Sequence, residues 1–139
     1  MSLIDKAISV ANKFYDENTY YHAMRVAGYV TDDNLIPSSK VEICTALAIM
    51  HDLLEDTDFE FSRDFNMYGM SHLEDCLQIL TKDKECSYEE YIKNIKNNYL
   101  SYPEAYWVKL ADIKDHLCQV ETLTDKLKEK YMMAIPYLL

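Results

Sequence analysis

Ile43-Cys44-Thr45-Ala46-Leu47-Ala48-Ile49-Met50-His51-Asp52-Leu53-Leu54-Glu55-Asp56-Thr57 is the stretch on which the reading of this chain turns. Its first eight residues are apolar on nearly every side, the pattern of a helix buried within a core rather than laid on its surface. Four ionisable side chains, His51, Asp52, Glu55 and Asp56, then follow almost at once. A charge on such a segment costs several kcal/mol unless it is paired or bound to a metal. A metal-centred site gives these groups a reason to be there.

Helical spacing sorts them. His51 and Glu55 are four apart and fall on one face, while Asp52 and Asp56 fall on the adjoining face, about 100° round. Two further segments carry similar groups. Asp112 interrupts Trp107-Val108-Lys109-Leu110-Ala111, with His116 one turn later, and His22 stands ahead of Ala23, Met24, Val26 and Ala27. Three helices thus bring His or Asp toward the core. Two imidazoles and two carboxylates make a mixed nitrogen and oxygen set suited to manganese, iron, zinc or another divalent ion with positions open to water and substrate. Such an ion lowers the pKa of bound water and neutralises charge on a phosphoryl oxygen. Acids one turn away could act as proton donor and acceptor.

The rest of the chain predicts an all-α fold, a single compact domain over residues 1–139 with about seven to eight helices. Apolar content of 49% and only two glycines and three prolines favour a globular helical protein over a turn-rich β fold. Ser or Thr followed three residues later by an acid recurs at Ser2/Asp5, Ser39/Glu42, Thr57/Glu60, Ser71/Glu74, Ser87/Glu90 and Ser101/Glu104, the spacing of capping boxes. Helices are expected over residues 2–15, 21–31, 40–55, 58–65, 71–81, 88–97, 103–120 and 125–138. His72 follows one of the expected caps and is given no role.

Net charge is −10 with no basic stripe, which argues against a duplex nucleic acid as partner. The same field repels an anionic substrate, so binding one needs a metal and local cations. No apolar run approaches the roughly 20 residues that span a bilayer. Cys44, Cys76, Cys86 and Cys118 show no C-x-x-C spacing, Cys44 and Cys118 sit on apolar helical faces, and the N-terminus lacks the order of an export signal. Reduced thiols in a cytoplasmic protein are expected. The sequence sets no oligomeric state.

The order His22, then His51-Asp52, then Asp112 is similar to that of the HD-domain metal-dependent phosphohydrolases. Within them, His51-Asp52-Leu53-Leu54-Glu55-Asp56-Thr57 resembles the hydrolase domain of RelA/SpoT homologues, including small stand-alone members. Leu80-Thr81-Lys82, Tyr88-Glu89-Glu90-Tyr91-Ile92 and Val108-Lys109-Leu110-Ala111-Asp112 follow in matching order, so the resemblance runs over roughly the whole chain. It implies an HD-domain helical bundle with a metal, commonly Mn2+, held by His22, His51, Asp52 and Asp112; iron, zinc, cobalt and magnesium remain compatible with the donors. It implies that Glu55 and Asp56 position or activate water and handle the leaving-group proton. The implied reaction is hydrolysis of a phosphate ester of a small nucleotide, in the nearest relatives at the 3′-diphosphate of a (p)ppGpp-type guanosine alarmone. Two departures stand out. Residues 14–21 are acidic where the family has an arginine-bearing loop, and His116 replaces an asparagine.

Arg25, Lys82, Lys109 and His116 are candidate substrate contacts; the plainer alternative makes the cations surface partners for excess acid and His116 a polar core residue or a further ligand. A nucleotidase or NADP(H)-type phosphatase on the same scaffold is the alternative within the class. A non-catalytic nucleotide-binding module and a purely structural helical domain are the alternatives outside it.

Overall fold

Burial on every side makes segment 44–50 the centre of the molecule, and the other helices are arranged around it. In the computed structural model, which describes residues 1–139, the elements are α1 (Leu3–Phe14), α2 (Glu17–Asp32), a 3-10 turn (Ser38–Lys40), α3 (Val41–Met50), α4 (Leu53–Asp56), α5 (Phe61–Asp64), α6 (Ser71–Leu80), α7 (Tyr88–Asn97), α8 (Pro103–Cys118) and α9 (Asp125–Leu138). There is no strand, and the all-α class is as expected. Helix α3 packs against α1, α2, α6 and α8; α9 closes over α7 and α8. The outer helices are amphipathic. In α1 the buried residues are Leu3, Ala7, Val10 and Ala11, a spacing of three and four that turns one stripe inward. No helix is long and apolar enough to cross a membrane.

The helix expected over 40–55 is broken at His51-Asp52, and hydrogen bonds explain the break. In a continuous helix the Ala48 carbonyl would accept the Asp52 N–H, and that of Ile49 the Leu53 N–H. Here His51 Nδ1–H donates to the Ala48 carbonyl at 2.6 Å, and the Tyr15 hydroxyl donates to the Ile49 carbonyl at 2.8 Å. The same hydroxyl accepts the Asp52 N–H at 3.2 Å. Tyr15 is buried at the end of α1, so the first helix latches the turn that carries His51 and Asp52.

The capping signals divide in the same way. Ser2 and Asp5 form a full box, and Ser87 accepts the Glu90 N–H. Ser39 lies inside the 3-10 turn, Ser71 follows a Met70 cap without a side-chain bond, and Ser101 precedes the Tyr102 cap. Thr57 bonds its hydroxyl to the Leu53 carbonyl and accepts from Phe59 N–H, a local turn rather than a box. Helix α2 starts earlier than expected because the Asp16 carboxylate accepts the Thr19 N–H at 2.8 Å. The acidic stretch before His22 is therefore a helix cap and first turn, where negative charge suits the macrodipole. Cys118, expected on an apolar face, is exposed at the end of α8, whereas Cys44 and Cys76 are buried.

Candidate metal centre

His22 from α2, His51 and Asp52 from the break after α3, and Asp112 from α8 meet at one point. Asp112 Oδ1 lies 2.8 Å from His22 Nε2 and 3.2 Å from His51 Nε2. Asp52 Oδ2 lies 3.2 Å from His51 Nε2 and 3.7 Å from His22 Nε2. The donor atoms of His22, His51 and Asp112 are close enough to share one metal ion.

The far side of each ring fixes its tautomer. His51 Nδ1 faces the Ala48 carbonyl, and His22 Nδ1 faces Asp115 Oδ2 at 2.6 Å. Both partners only accept, so both Nδ1 atoms carry hydrogen. In a neutral imidazole each Nε2 is then a lone pair aimed at carboxylate oxygen. Lone pairs facing lone pairs need a proton or a metal ion between them. A carboxylate holding the outer nitrogen of a ligand imidazole is also a recurrent support of metal sites. The residues present fit a divalent ion.

Electrostatics agree. Burial disfavours charge on His51, yet Asp52 and Asp112 outweigh it and lift its pKa well above the usual histidine range. His22 is raised against its burial by Asp112 and Asp115. Asp112 is itself buried, but Lys109 and the surrounding imidazoles hold its carboxyl well below the ordinary value. The cluster is a buried excess of carboxylate that draws positive charge.

Asp112 divides its oxygens. Oδ2 receives the Lys109 ammonium at 2.8 Å, leaving Oδ1 for the imidazoles. His116 Nε2 also reaches Oδ1, at 3.2 Å, and its ring stacks on Tyr131 with centroids 4.7 Å apart. On one side of His116 lies a cavity of about 110 Å³ lined by Asp52, Glu55, Lys82, Lys109, Asp112 and Lys130 together with Tyr88, Tyr91 and Tyr131. On the other, a groove of about 330 Å³ is lined by Asn18, Tyr21, His22, Arg25 and Asp115, and His116 borders both. A larger groove of about 660 Å³ between Tyr29 and Trp107 includes none of the cluster residues and lies apart from this chemistry.

By sequence, neither a protein-family model nor a curated protein matches the chain. By structure, it is similar to a metazoan ortholog of SpoT that hydrolyses ppGpp and plays a role in starvation responses. The TM-score is 0.71 at 19% identity, over 99% of this chain and 84% of that one. The chain shares that protein's all-α fold.

On that fold the expected residues occupy unequal positions. Glu55 borders the lysine-lined cavity and accepts the Lys82 backbone N–H at 2.7 Å. Asp56 is exposed and outside that lining, its carboxyl raised by partial burial and by the charges of Asp52 and Glu55. Arg25 makes two bonds to Asp115, at 2.8 and 3.1 Å, and still faces the groove. Lys109 is buried among Tyr88, Tyr91 and Asp112, whereas the Lys82 ammonium turns to the Asp83 carbonyl. Sequence reasoning missed Asp115, Lys130 and Tyr15. Asp115 carried a signal, since it lies three residues after Asp112 and so near its helical face. Lys130 and Tyr15 carried none, because only packing brings α9 and the end of α1 to the site.

Proposed function

We propose that this protein is a metal-dependent phosphohydrolase acting on a nucleotide, with the 3′-diphosphate of a (p)ppGpp-like guanosine alarmone as its substrate. The observation behind this is the pair of imidazole Nε2 atoms meeting Asp112 Oδ1 beside a cavity lined by three lysines, in a chain of net charge −10. His22, His51, Asp52 and Asp112 would hold the ion; the resemblance favours Mn2+, and the donors equally admit iron, zinc, cobalt and magnesium. When bound, the ion supplies Lewis acidity, lowering the pKa of water and offsetting charge on a phosphoryl oxygen.

The side chains do the rest. Lys82, Lys109 and Lys130 offset the repulsion that the acidic surface imposes on an anion. The small cavity suits phosphoryl groups rather than a whole nucleotide, for which pockets of roughly 300–1,000 Å³ are usual. The groove beyond His116, with Arg25 and Tyr21, then takes the nucleoside. Glu55, which borders the cavity, accepts the proton of the attacking water, and Asp56, one residue further along, handles the proton of the departing 3′-oxygen once substrate draws it in. Water oxygen bonds to phosphorus, the bond from phosphorus to the 3′-oxygen breaks, and pyrophosphate leaves. The likeness to a protein that hydrolyses ppGpp supports this substrate. The arginine-free acidic turn at the start of α2 favours a second reading, a nucleotidase or NADP(H)-type phosphatase that removes one phosphate and needs fewer cations.

The test is a cleavage panel with Mn2+-loaded protein: guanosine 3′-diphosphate compounds, nucleoside monophosphates and NADP(H). Release of pyrophosphate from the first group is expected. Orthophosphate alone would establish the second reading, and no cleavage of any compound would overturn the enzymatic assignment. Calorimetric binding without product would mark a nucleotide-binding module.

A further inference from the structure

A second group of donors lies away from this centre, where α6 meets the start of α8. His72 and Cys76 are four residues apart on α6 and therefore share a face. Opposite them stands Glu104, in the first turn of α8 and completely buried. Its two oxygens have different company. Oε2 receives the Lys40 ammonium at 2.9 Å, while Oε1 lies 3.0 Å from His72 Nε2 and 4.0 Å from Cys76 Sγ. The three atoms Nε2, Sγ and Oε1 all lie within 4.8 Å of one another.

An ion pair with Lys40 accounts for a buried Glu104, but only through Oε2. It leaves the other half of the cluster unexplained. His72 Nε2 is sealed from solvent and, although close to Oε1, lacks hydrogen-bonding geometry. The ring is held in that place by stacking on Tyr102, with centroids 5.0 Å apart and planes 25° from parallel. A buried imidazole nitrogen held without a hydrogen bond, beside a thiol and the carboxylate oxygen that accepts its S–H, is a set of metal donors gathered at one point. Nitrogen, sulfur and oxygen together suit Zn2+ better than Mn2+ or Mg2+, which prefer oxygen.

We propose that His72 Nε2, Cys76 Sγ and Glu104 Oε1 form a second metal site that takes Zn2+ and fastens α6 to α8. On binding, the Cys76 S–H bond breaks, its proton passes to solvent and the thiolate becomes the ligand; nothing is oxidised or reduced. Lys40 stays on Oε2 and keeps the carboxylate turned toward the other two donors. A fourth position is left to water. Glu104 and Asp112 are eight residues apart on α8, about 12 Å along its axis, so one helix would present a carboxylate to each of two ions.

Sulfur separates the sites experimentally, because no cysteine belongs to the Asp112 cluster. Metal-free, full-length protein kept reduced is titrated with Co2+ and followed for the near-ultraviolet thiolate-to-cobalt charge-transfer band. The wild type is expected to develop this band and to lose it when Zn2+ is added. Asp112→Ala is expected to keep it and Cys76→Ser to lack it. His72→Ala, at a half-exposed position, is expected to weaken Co2+ binding at least tenfold with an unchanged circular dichroism spectrum. Absence of a sulfur band in the wild type would overturn the proposal. So would a band that both Cys76→Ser and His72→Ala leave intact.

Discussion

Asp112 and Glu104 are both buried on α8, and each sets one oxygen against a lysine and has an imidazole nitrogen close to the other. Their surroundings diverge from there. Asp112 has three imidazoles on one oxygen, a buried lysine on the other, and cavities on both sides of His116. Glu104 has one imidazole and a thiol, and its lysine comes from the turn ahead of α3 rather than from its own helix. The same carboxylate device therefore does two jobs. Where cavities and cations surround it, it can present charge to a ligand; where packed helices surround it, it joins those helices. On the two proposals above, access to solvent and local charge, more than donor identity, would separate a site for chemistry from a site for architecture.

Substitution tests this contrast, beginning with the largest effect. Asp112→Ala should cut phosphate-ester hydrolysis by at least about a hundredfold, more than the usual loss from removing a partner behind a ligand, while His72→Ala should leave turnover within a few fold. Comparable losses in both would erase the distinction. Next is Asp115, which holds the outer nitrogen of His22, away from the point where the other donors meet. Asp115→Asn should weaken metal affinity about 10–100-fold, read by competition with a chelator, with kcat recovering at saturating metal.

Tyr15→Phe deletes both bonds of the latch and strands the Asp52 N–H and the Ile49 carbonyl. A loss of about 1–3 kcal/mol in unfolding free energy is expected from denaturant titration, with reduced activity because Asp52 is no longer held. The smallest effect concerns Lys130. Burial, then the charge of Lys109, pull its pKa down against the attraction of Glu55 and Asp112, with Lys82 adding to the depression. As pH rises, Lys130 should lose its proton below the usual lysine value of about 10.4, and KM for an anionic substrate should climb on that limb. Lys130→Met should remove the limb and raise KM severalfold near neutrality. A KM that is flat with pH in the wild type would detach α9 from substrate binding.

Much of this was legible in the chain because the signals were local. The apolar run 43–50 followed by four ionisable groups identified both a buried helix and a cluster needing partners. The helix class followed from periodicity and from the scarcity of glycine and proline. What was not legible depended on bonds between distant segments. Residues 40–55 have the composition of one continuous helix, and the break at His51-Asp52 requires Tyr15, which is 37 residues away from Asp52. The serine and threonine spacings predicted more boxes than form, because the same hydroxyls can close local turns, as Thr57 does. His72 looked idle in sequence, since its neighbours Cys76 and Glu104 become meaningful only when α6 is laid against α8. Asp16 and Glu17, which read in sequence as a departure in a substrate loop, form the cap and first turn of α2, a placement that the spacing alone did not give.

The pairing of His22 with Asp112 also orders events in time. The two residues are 90 positions apart, so at roughly 5–20 residues per second the ribosome needs about 5–18 s to deliver the second after the first. For that interval the nascent chain exposes His22 and then His51-Asp52 with no carboxylate from α8 to complete the set. The ring column from His22 through His116 to Tyr131 closes later still, when α9 arrives. A chain cut short before α8 would keep His22, His51 and Asp52 and lack Asp112, the residue whose Oδ1 both imidazoles meet.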